Sequence, residues 1–261
     1  MSKCDIGIVV PTLGTRDVYL RQTLSSIRRA GNAQIVIVAP TGVPLHKSLT
    51  SDLYDRLLPD PGKGLSAAID FAIREFSDEI KFINWLGDDD LLALNSLDCA
   101  SKPMRESEEI IMVYGKCEYI DRSGNKITTN RSGNYARFLM RFGPQLVSQP
   151  GSLIRKEAYL AAGGLNHGYK CAFDLDLFIK LQKFGKMHYT PAVLASFRWH
   201  ADSLTVASRS ESVKEAREIR TSALPFYIRK FAAIWEFPIS FAIRIVGKLL
   251  TFYSGVRRST E

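Results

Sequence analysis

The sequence lacks the cysteine pairs, nucleotide-hydrolysis motifs and long apolar runs that mark several large classes of protein. Its four cysteines form no CxxC pair and have no histidine partner at zinc-ligand spacing, so we expect reduced core thiols. GxxxxGK[ST] is missing and no GxGxxG follows the first predicted strand, which argues against nucleotide hydrolysis and dinucleotide binding. No uninterrupted apolar stretch reaches the roughly 18 residues of a membrane-spanning helix. The first apolar run, 6–10, is too short for a signal peptide, so we expect a cytoplasmic protein.

Basic residues outnumber acidic ones. The 261 residues include 35 Lys and Arg against 27 Asp and Glu, a formal net charge of +8. Such a charge favours anionic partners: phosphates, an acidic membrane surface or nucleic acid. A hydrophobic fraction of 46% with 24% charged residues is ordinary for a soluble domain and excludes a disordered chain.

Short β-rich runs alternate with helical patterns in the first third, which is typical of βαβ units around a mainly parallel sheet. The strands predicted there cover 6–10, 34–38 and 80–86, and the helices 18–30 and 65–76. A turn-rich cluster at 121–124 then predicts a hairpin within 110–127, which makes the sheet mixed. Later strands are predicted at 152–155, 187–190 and 193–199, and later helices at 156–162, 174–184 and 210–221.

The predicted strand 80–86 is followed by three consecutive carboxylates, Asp88, Asp89 and Asp90. Ligands of open α/β sheets bind beyond the carboxyl ends of the strands, so the position predicts a ligand site. Adjacent carboxylates repel one another unless a cation or hydrogen-bond donors compensate, and Mg²⁺ and Mn²⁺ prefer oxygen ligands. The alternative is that the aspartates cap a following helix, since leucines at helical spacing come next. One aspartate would suffice for a cap.

Three further segments carry candidate site residues. The loop PDPGKG places Lys63 and Gly64 just before a helix, where a phosphate or ribose can approach backbone amides. Asp174 and Asp176 begin a predicted helix, where capping and catalysis are equally open interpretations. FRWHADS brings Arg198 and His200 to one face near the end of a strand, within reach of one anion, although a lone histidine is more often structural.

The composition changes after about residue 203. A charged helix leads through Pro225 into the segment 228–253, which is dominated by Ile, Leu, Phe and Trp. Polar residues at helical spacing, among them Arg244 and Lys248, form a narrow stripe, as in an interfacial basic helix. We expect this segment to lie on an anionic membrane surface. The alternative is a helix packed on the protein itself or on a second copy.

Taken in order, these segments resemble the inverting glycosyltransferases of family 2, from about residue 5 to 205. The family's opening strand and turn are similar to IVVPTLG. Its loop and helix before the acidic motif are similar to PGKGLSAAIDFAI, and its DXD-type motif is similar to FINWLGDDDLLALNSL. The family's acceptor segment is similar to QPGSLIRKEAYLAAGGLN. Its block with the catalytic base is similar to AFDLDLFIKL, and its late Arg-x-His element is similar to FRWHADSLT. The resemblance implies a GT-A-type, Rossmann-like three-layer α/β sandwich around a mainly parallel mixed sheet. The catalytic domain would cover 1–205 and a C-terminal helical appendage 206–261.

The resemblance also implies roles for single residues. Asp90 is the best metal ligand, with Asp88 and Asp89 toward the ribose and the metal. Pro11, Thr12 and Gly14 line the nucleotide pocket, while Lys63, Gly64, Arg198 and His200 contact the phosphates or their surroundings. Asp174 matches the base, with Asp176 as the alternative because Phe173 replaces a glutamate common in that block. Ala39 and Pro40 stand where many members carry an acidic residue that helps bind the base or ribose, which leaves the nucleotide open.

The implied function is transfer of a sugar from a nucleoside-diphosphate sugar to an acceptor hydroxyl, with inversion and with Mn²⁺ or Mg²⁺ as cofactor. The acceptor would be a glycan or lipid-linked glycan in bacterial-type surface polysaccharide or glycolipid assembly. We expect the protein at the inner face of the membrane, with no nucleic acid partner. The alternatives are a non-catalytic basic module that binds membrane or nucleic acid, and a metal-dependent nucleotidyltransferase or phosphatase.

Overall fold

The computed structural model describes residues 4–45, 49–130, 132–143, 145–200 and 208–232, together with 234, 237–238, 241, 245 and 248–249. The strands are β1 (Ile6–Pro11), β2 (Gln34–Ala39), β3 (Arg56–Pro59), β4 (Phe82–Trp85), β5 (Leu91–Leu92), β6 (Ile110–Ile120), β7 (Lys126–Thr129), β8 (Ser152–Arg155) and β9 (Lys186–Arg198). The helices are α1 (Asp17–Ala30), α2 (Leu65–Arg74), α3 (Ser96–Glu106), α4 (Ala136–Leu139), α5 (Lys156–Ala161), α6 (Phe173–Leu181), α7 (Arg209–Ala223) and α8 (Phe226–Arg229).

Within the described residues, nine strands form one sheet in the order β3-β2-β1-β4-β8-β6-β9-β5, with β7 paired to β6. β1 pairs in parallel with β2 and β4, β2 with β3, and β6 with β9. β8 is antiparallel to both β4 and β6, and β5 and β7 are antiparallel to β9 and β6. The strands β1 to β4, β6 and β9 therefore share one direction, and the predicted mainly parallel mixed sheet is confirmed.

The sheet has a hydrophobic cluster on each face. Because successive side chains of a strand alternate between faces, Ile8 of β1 packs in the cluster of α1 and α3, and Val9 packs in that of α2, α5 and α6. α1 buries Leu20, Leu24 and Ile27, spaced so that they lie on one side of the helix. The predicted three-layer sandwich is thus the observed architecture.

The predicted strands and helices of the first third are all present, with ends shifted by a few residues. Three features of the strands differ from the prediction. β3 was not predicted, the two runs after residue 186 form one strand with shifts in its register against β6, and residues 91–92 are a strand rather than the start of a helix. These differences depend on pairing with strands distant in the sequence, which local pattern does not reveal.

The C-terminal part begins with α7, which packs against α6. Ile219 of α7 is 2% exposed and belongs to the core cluster on that face of the sheet. In the part of the chain that the structure describes, no helix combines the length and apolarity needed to cross a membrane. Arg244 of the predicted polar stripe lies outside the described residues, as do 250–261. The membrane contact and the domain boundary at 205 stay predictions.

Candidate active site

The three aspartates lie in a tight turn that joins β4 to β5. The N–H of Asp90 donates to the Gly87 carbonyl at 3.1 Å, and Leu91 and Leu92 then pair with β9. α3 begins only at Ser96. The carboxylates therefore do not cap this helix, and the capping interpretation is wrong. All three side chains are buried at the carboxyl end of β4, where ligands of α/β sheets bind.

Asp88 is held by the loop that follows β1. Its Oδ2 accepts the hydroxyl of Thr12 at 2.5 Å, and its Oδ1 pairs with Arg16 Nη2 at 2.7 Å. Burial raises the pKa of Asp88 above its ordinary value, and the Thr12 hydroxyl and Arg16 partly offset that rise. Thr12 also accepts the N–H of Gly14 at 3.0 Å, which fixes the loop itself. The loop can adopt this shape because Gly14 has a φ of +73°, which disfavours other residues.

Asp89 lies between two cationic or potentially cationic side chains. Its Oδ2 is bonded to Arg16 Nη1 and to His200 Nε2, the latter at 2.7 Å. His200 is 1% exposed, whereas 32% of the Arg16 side chain is exposed. Arg16 thus covers Asp88 and Asp89 from the solvent side and compensates their charge.

Asp90 is held by residues of α1 and β9. Its Oδ1 accepts the backbone N–H of Arg198 at 2.9 Å, and its carbonyl accepts the Thr23 hydroxyl at 2.8 Å. Burial and the neighbouring charge of Asp89 raise the pKa of Asp90 well above its ordinary value. A bound cation would counter both effects by stabilising the ionised form.

The donor set of the turn fits a hard divalent cation. Asp89 Oδ1 and Asp90 Oδ2 converge over Gly87, where an added Cβ would lie 2.9 and 3.2 Å from them. Among the described residues, no three carboxylate, imidazole or thiolate groups are arranged so that together they could hold a metal ion. Mg²⁺ commonly takes only one or two protein carboxylates and completes its shell with phosphate oxygens and water, so two converging oxygens are enough.

Arg198 connects the aspartate turn to the β6–β7 hairpin. Its Nε donates to the Asp89 carbonyl at 2.9 Å, and its Nη1 donates to the Arg122 carbonyl at 2.9 Å. Nη2 donates to Gln22 Oε1 at 3.0 Å, and the guanidinium lies 4.4 Å from the centre of the Tyr19 ring. The side chain is 2% exposed. In this arrangement Arg198 orders the turn and adds positive charge beneath it.

The other predicted nucleotide-site residues lie at the same edge of the sheet. Pro11 ends β1, and Gly64 immediately precedes α2 with a φ of +94°. Lys63 is exposed in the loop between β3 and α2. β3 and β1 both pair in parallel with β2, so their carboxyl ends point toward one side. The fold therefore brings both loops to the edge that carries the aspartates.

Asp174 lies in the first turn of α6, beside the end of β4. The Phe173 ring contacts that of Trp85, with centroids 6.4 Å apart. Asp174 Oδ2 accepts from Gln145 Nε2 at 2.8 Å, and Oδ1 accepts the N–H of Leu175 at 2.8 Å. Burial raises the pKa of Asp174, and the bond from Gln145 partly offsets this. A carboxylate with a neutral partner and a raised pKa suits a general base.

Asp176 has a different environment. Its Oδ2 pairs with Lys180, one turn later on α6, at 2.6 Å. The side-chain partner of Asp176 is thus a cation, whereas that of Asp174 is a neutral amide. The two aspartates that the sequence left as alternatives are thus separated by their partners.

Sequence reasoning missed three residues that organise the site. Arg16 could have been noticed as a cation four residues beyond Thr12, within the predicted nucleotide pocket. Gln145 and Gln149 gave no local signal. Gln149 Nε2 donates to the Trp85 carbonyl at 2.7 Å, so the loop 145–149 ties the Asp174 helix to the strand that ends at the aspartates.

Solved glycosyltransferase structures share this fold. Mannosyltransferase PcManGT from Pyrobaculum calidifontis, in complex with GDP-Man and Mn²⁺, matches with a TM-score of 0.64 and 14% identity, over 95% of this chain and 76% of that chain. S. aureus TarS 1–349 matches with a TM-score of 0.64 and 12% identity, over 91% of this chain and 72% of that chain. A longer S. aureus TarS structure matches with 0.61 and 11%, over 88% of this chain and 42% of that chain.

Other comparisons found no relative. No protein-family model matches the chain, and no curated protein matches it. This chain spans less than half of the longer TarS chain, and identities this low show the fold alone. The chain therefore has the mixed α/β, Rossmann-like fold of these glycosyltransferases, and the fold class expected from the sequence is confirmed.

Proposed function

We propose that the chain transfers a sugar from a nucleoside-diphosphate sugar to an acceptor hydroxyl by a single displacement with inversion. The observation that carries the proposal is the pairing of two unlike acidic sites at one end of the sheet. One is the aspartate turn with converging oxygens of Asp89 and Asp90, and the other is Asp174 with its raised pKa. The first suits a diphosphate with its cation, and the second suits proton removal.

The donor site is proposed at the turn and the loops around it. Asp89 and Asp90 would hold Mn²⁺ or Mg²⁺, and Asp88 with Pro11, Thr12 and Gly14 would face the nucleoside. When bound, the cation would stabilise the negative charge that grows on the departing diphosphate. Arg16 and His200 adjoin Asp89, and Lys63 is exposed in a neighbouring loop, so an arginine, a histidine and a lysine surround the same place.

In the transfer step, one proton moves to Asp174 and one electron pair leaves with the diphosphate. Asp174 accepts the proton of the acceptor hydroxyl, and the hydroxyl oxygen attacks the anomeric carbon. As the new carbon–oxygen bond forms, the bond to the diphosphate breaks and the nucleoside diphosphate leaves with its electron pair. Attack from the face opposite to the leaving group inverts the anomeric centre.

The acceptor is proposed to be a glycan or lipid-linked glycan presented at an anionic membrane surface. Two aromatic side chains of α8, immediately before residue 228, support this, since Phe226 is 87% exposed and Tyr227 is 71% exposed. Arg229 and Lys230 follow after one intervening residue, Ile228, and their positive charges match an anionic headgroup layer. The same proposal places this protein at the inner face of the membrane and gives it a role in bacterial-type polysaccharide or glycolipid assembly.

A panel of nucleotide sugars with Mn²⁺ tests the proposal. GDP-mannose belongs in the panel because PcManGT was solved with GDP-Man and Mn²⁺. We expect at least one member to raise the melting temperature with Mn²⁺ present and to lose its sugar slowly to water, since ligands that bind the folded state stabilise it. Neither stabilisation nor hydrolysis with any member would favour the non-catalytic binding module.

A further inference from the structure

Glu215 is a buried carboxylate of α7, outside the elements that carry the candidate site. It is 8% exposed. Its Oε1 accepts the backbone N–H of Lys170 at 2.8 Å, and its Oε2 accepts those of Cys171 and Ala172 at 2.9 Å each. Hydrogen bonds to an ionised acceptor are about twice as strong as neutral ones. One side chain of α7 therefore holds three consecutive backbone amides by strong hydrogen bonds.

These amides lead directly into α6. Ala172 is the residue immediately before the helix, and its methyl side chain supplies no capping oxygen. Glu215 provides from another helix the acceptor that a serine or aspartate would provide locally. Its negative charge also lies at the positive end of the α6 dipole, where it is stabilising.

The orientation of Asp174 depends on this first turn. The N–H of Asp176 donates to the Ala172 carbonyl at 3.2 Å, so Ala172 is bonded through its N–H to Glu215 and through its carbonyl to α6. The hydrogen bond from the Leu175 N–H to Asp174 Oδ1 requires the same backbone geometry. A shift of residues 170–172 would thus move the Asp174 carboxylate relative to Gln145 and the end of β4.

α7 is itself fixed to the body of the protein. Ile219, one turn after Glu215, is 2% exposed and packs in the core cluster of α6, and Arg220 is 1% exposed. Glu215 and Ile219 lie on the same side of the helix at a spacing of four residues. The carboxylate is therefore presented to the loop from a rigid element.

We propose that Glu215 is a positioning residue for the transfer reaction: it holds the backbone of residues 170–172 so that Asp174 is directed at the acceptor hydroxyl. The inference rests on the proposed function of Asp174 as the base. It places a residue of the C-terminal part, beyond the expected domain boundary at 205, in support of catalysis in the main domain.

Steady-state kinetics of Glu215 variants test the inference with the panel donor that turns over fastest. Glu215→Ala should lower kcat by about a hundredfold, the cost of a small misplacement of a catalytic group. The donor KM and the Mn²⁺-dependent binding of UDP or GDP should not change, because the donor site is on other elements. Glu215→Gln keeps one acceptor oxygen and should give an intermediate kcat. Glu218→Gln, an equal charge change at an exposed position of α7, should match wild type.

Hydrogen exchange gives a readout that does not need turnover. In Glu215→Gln, the amides of residues 170–172 and of the first turn of α6 should exchange faster, while those of β4 keep their protection. Unchanged kcat in Glu215→Ala would overturn the inference, as would parallel losses of kcat, nucleotide binding and melting temperature. If Glu215→Ala does not fold, Glu215→Gln is judged by the same criteria. Absence of turnover in wild type would contradict the proposed function, and exchange that stays wild type in the first turn of α6 would contradict the positioning role.

Discussion

Asp174 and Asp176 lie two residues apart on α6 and differ in the partner that each one meets. Asp174 accepts a hydrogen bond from the neutral Gln145, and Asp176 pairs with Lys180. Asp174→Asn should lower kcat by about 10²- to 10⁴-fold, the usual contribution of a general base, with donor binding retained. Asp176→Asn should lose far less activity. Comparable kcat losses in both variants, measured under saturating donor, would contradict the assignment of the base.

The pH dependence of kcat/KM should report the same group. Asp174 acts as a base only when ionised, and burial raises its pKa above the ordinary value of 3.8. Activity should therefore fall, as the pH is lowered, at a higher pH than for an exposed aspartate. The bond from Gln145 lowers this pKa, so Gln145→Leu should move the acidic limb to still higher pH. Gln182→Leu, at the other end of α6, is the control. If the acidic limb of the pH profile does not move in Gln145→Leu, or moves to lower pH, Asp174 is excluded as the base.

Arg16 pairs with one of the two carboxylates proposed to hold the cation, that of Asp89, through the oxygen that does not face Gly87. Its guanidinium pairs with Asp88 as well as with Asp89. Arg16→Gln removes this competing positive charge and should tighten Mn²⁺ binding to the donor-free protein by roughly tenfold, which corresponds to about 1.4 kcal/mol. Nucleoside diphosphate binding in the presence of Mn²⁺ should weaken, because a cation near the phosphates is lost.

Isothermal titration with Mn²⁺ alone checks the first part of this prediction. Arg29→Gln removes an exposed arginine from α1 and serves as the control for net charge. Weaker Mn²⁺ binding in Arg16→Gln than in Arg29→Gln would show that Arg16 supports the metal site instead of competing for it.

At the scale of elements, the segment that begins with α8 presents apolar side chains that no described contact covers fully. Phe226 and Tyr227 are 87% and 71% exposed. Burial of one large apolar side chain is worth about 1.5–3 kcal/mol, so the double variant Phe226→Ser/Tyr227→Ser should bind anionic vesicles at least about tenfold more weakly. Phe184→Ser changes an exposed phenylalanine after α6 and should leave binding unchanged. Equal vesicle sedimentation of both variants and wild type would remove the membrane role from this segment.

At the scale of the whole molecule, regular elements could be predicted where the local pattern dominates. α1 and β4 follow from the spacing of apolar residues. β5 could not, because Leu91 also fits a helical spacing and its strand conformation depends on pairing with Ser196 of β9. β3 is a short, partly exposed strand beside β2, with too few residues to show a period.

The candidate site shows the same limit. The aspartates and Asp174 were predicted because each lies at the end of a recognisable element. Arg16, Gln145 and Glu215 act on partners between 29 and 73 residues away, and the sequence holds no local trace of these contacts. Local chemistry thus predicts which groups form a site, while the fold determines which of them are paired and which are free to react.

The most direct test of the central claim is the anomeric configuration of the first sugar released. Proton NMR can follow a nucleotide sugar incubated with the protein and Mn²⁺, with water as the acceptor, before mutarotation mixes the anomers. A single displacement predicts that the first-formed sugar has the configuration opposite to that of the donor, and that Asp174→Asn releases none. Release with the donor's own configuration would contradict the single displacement.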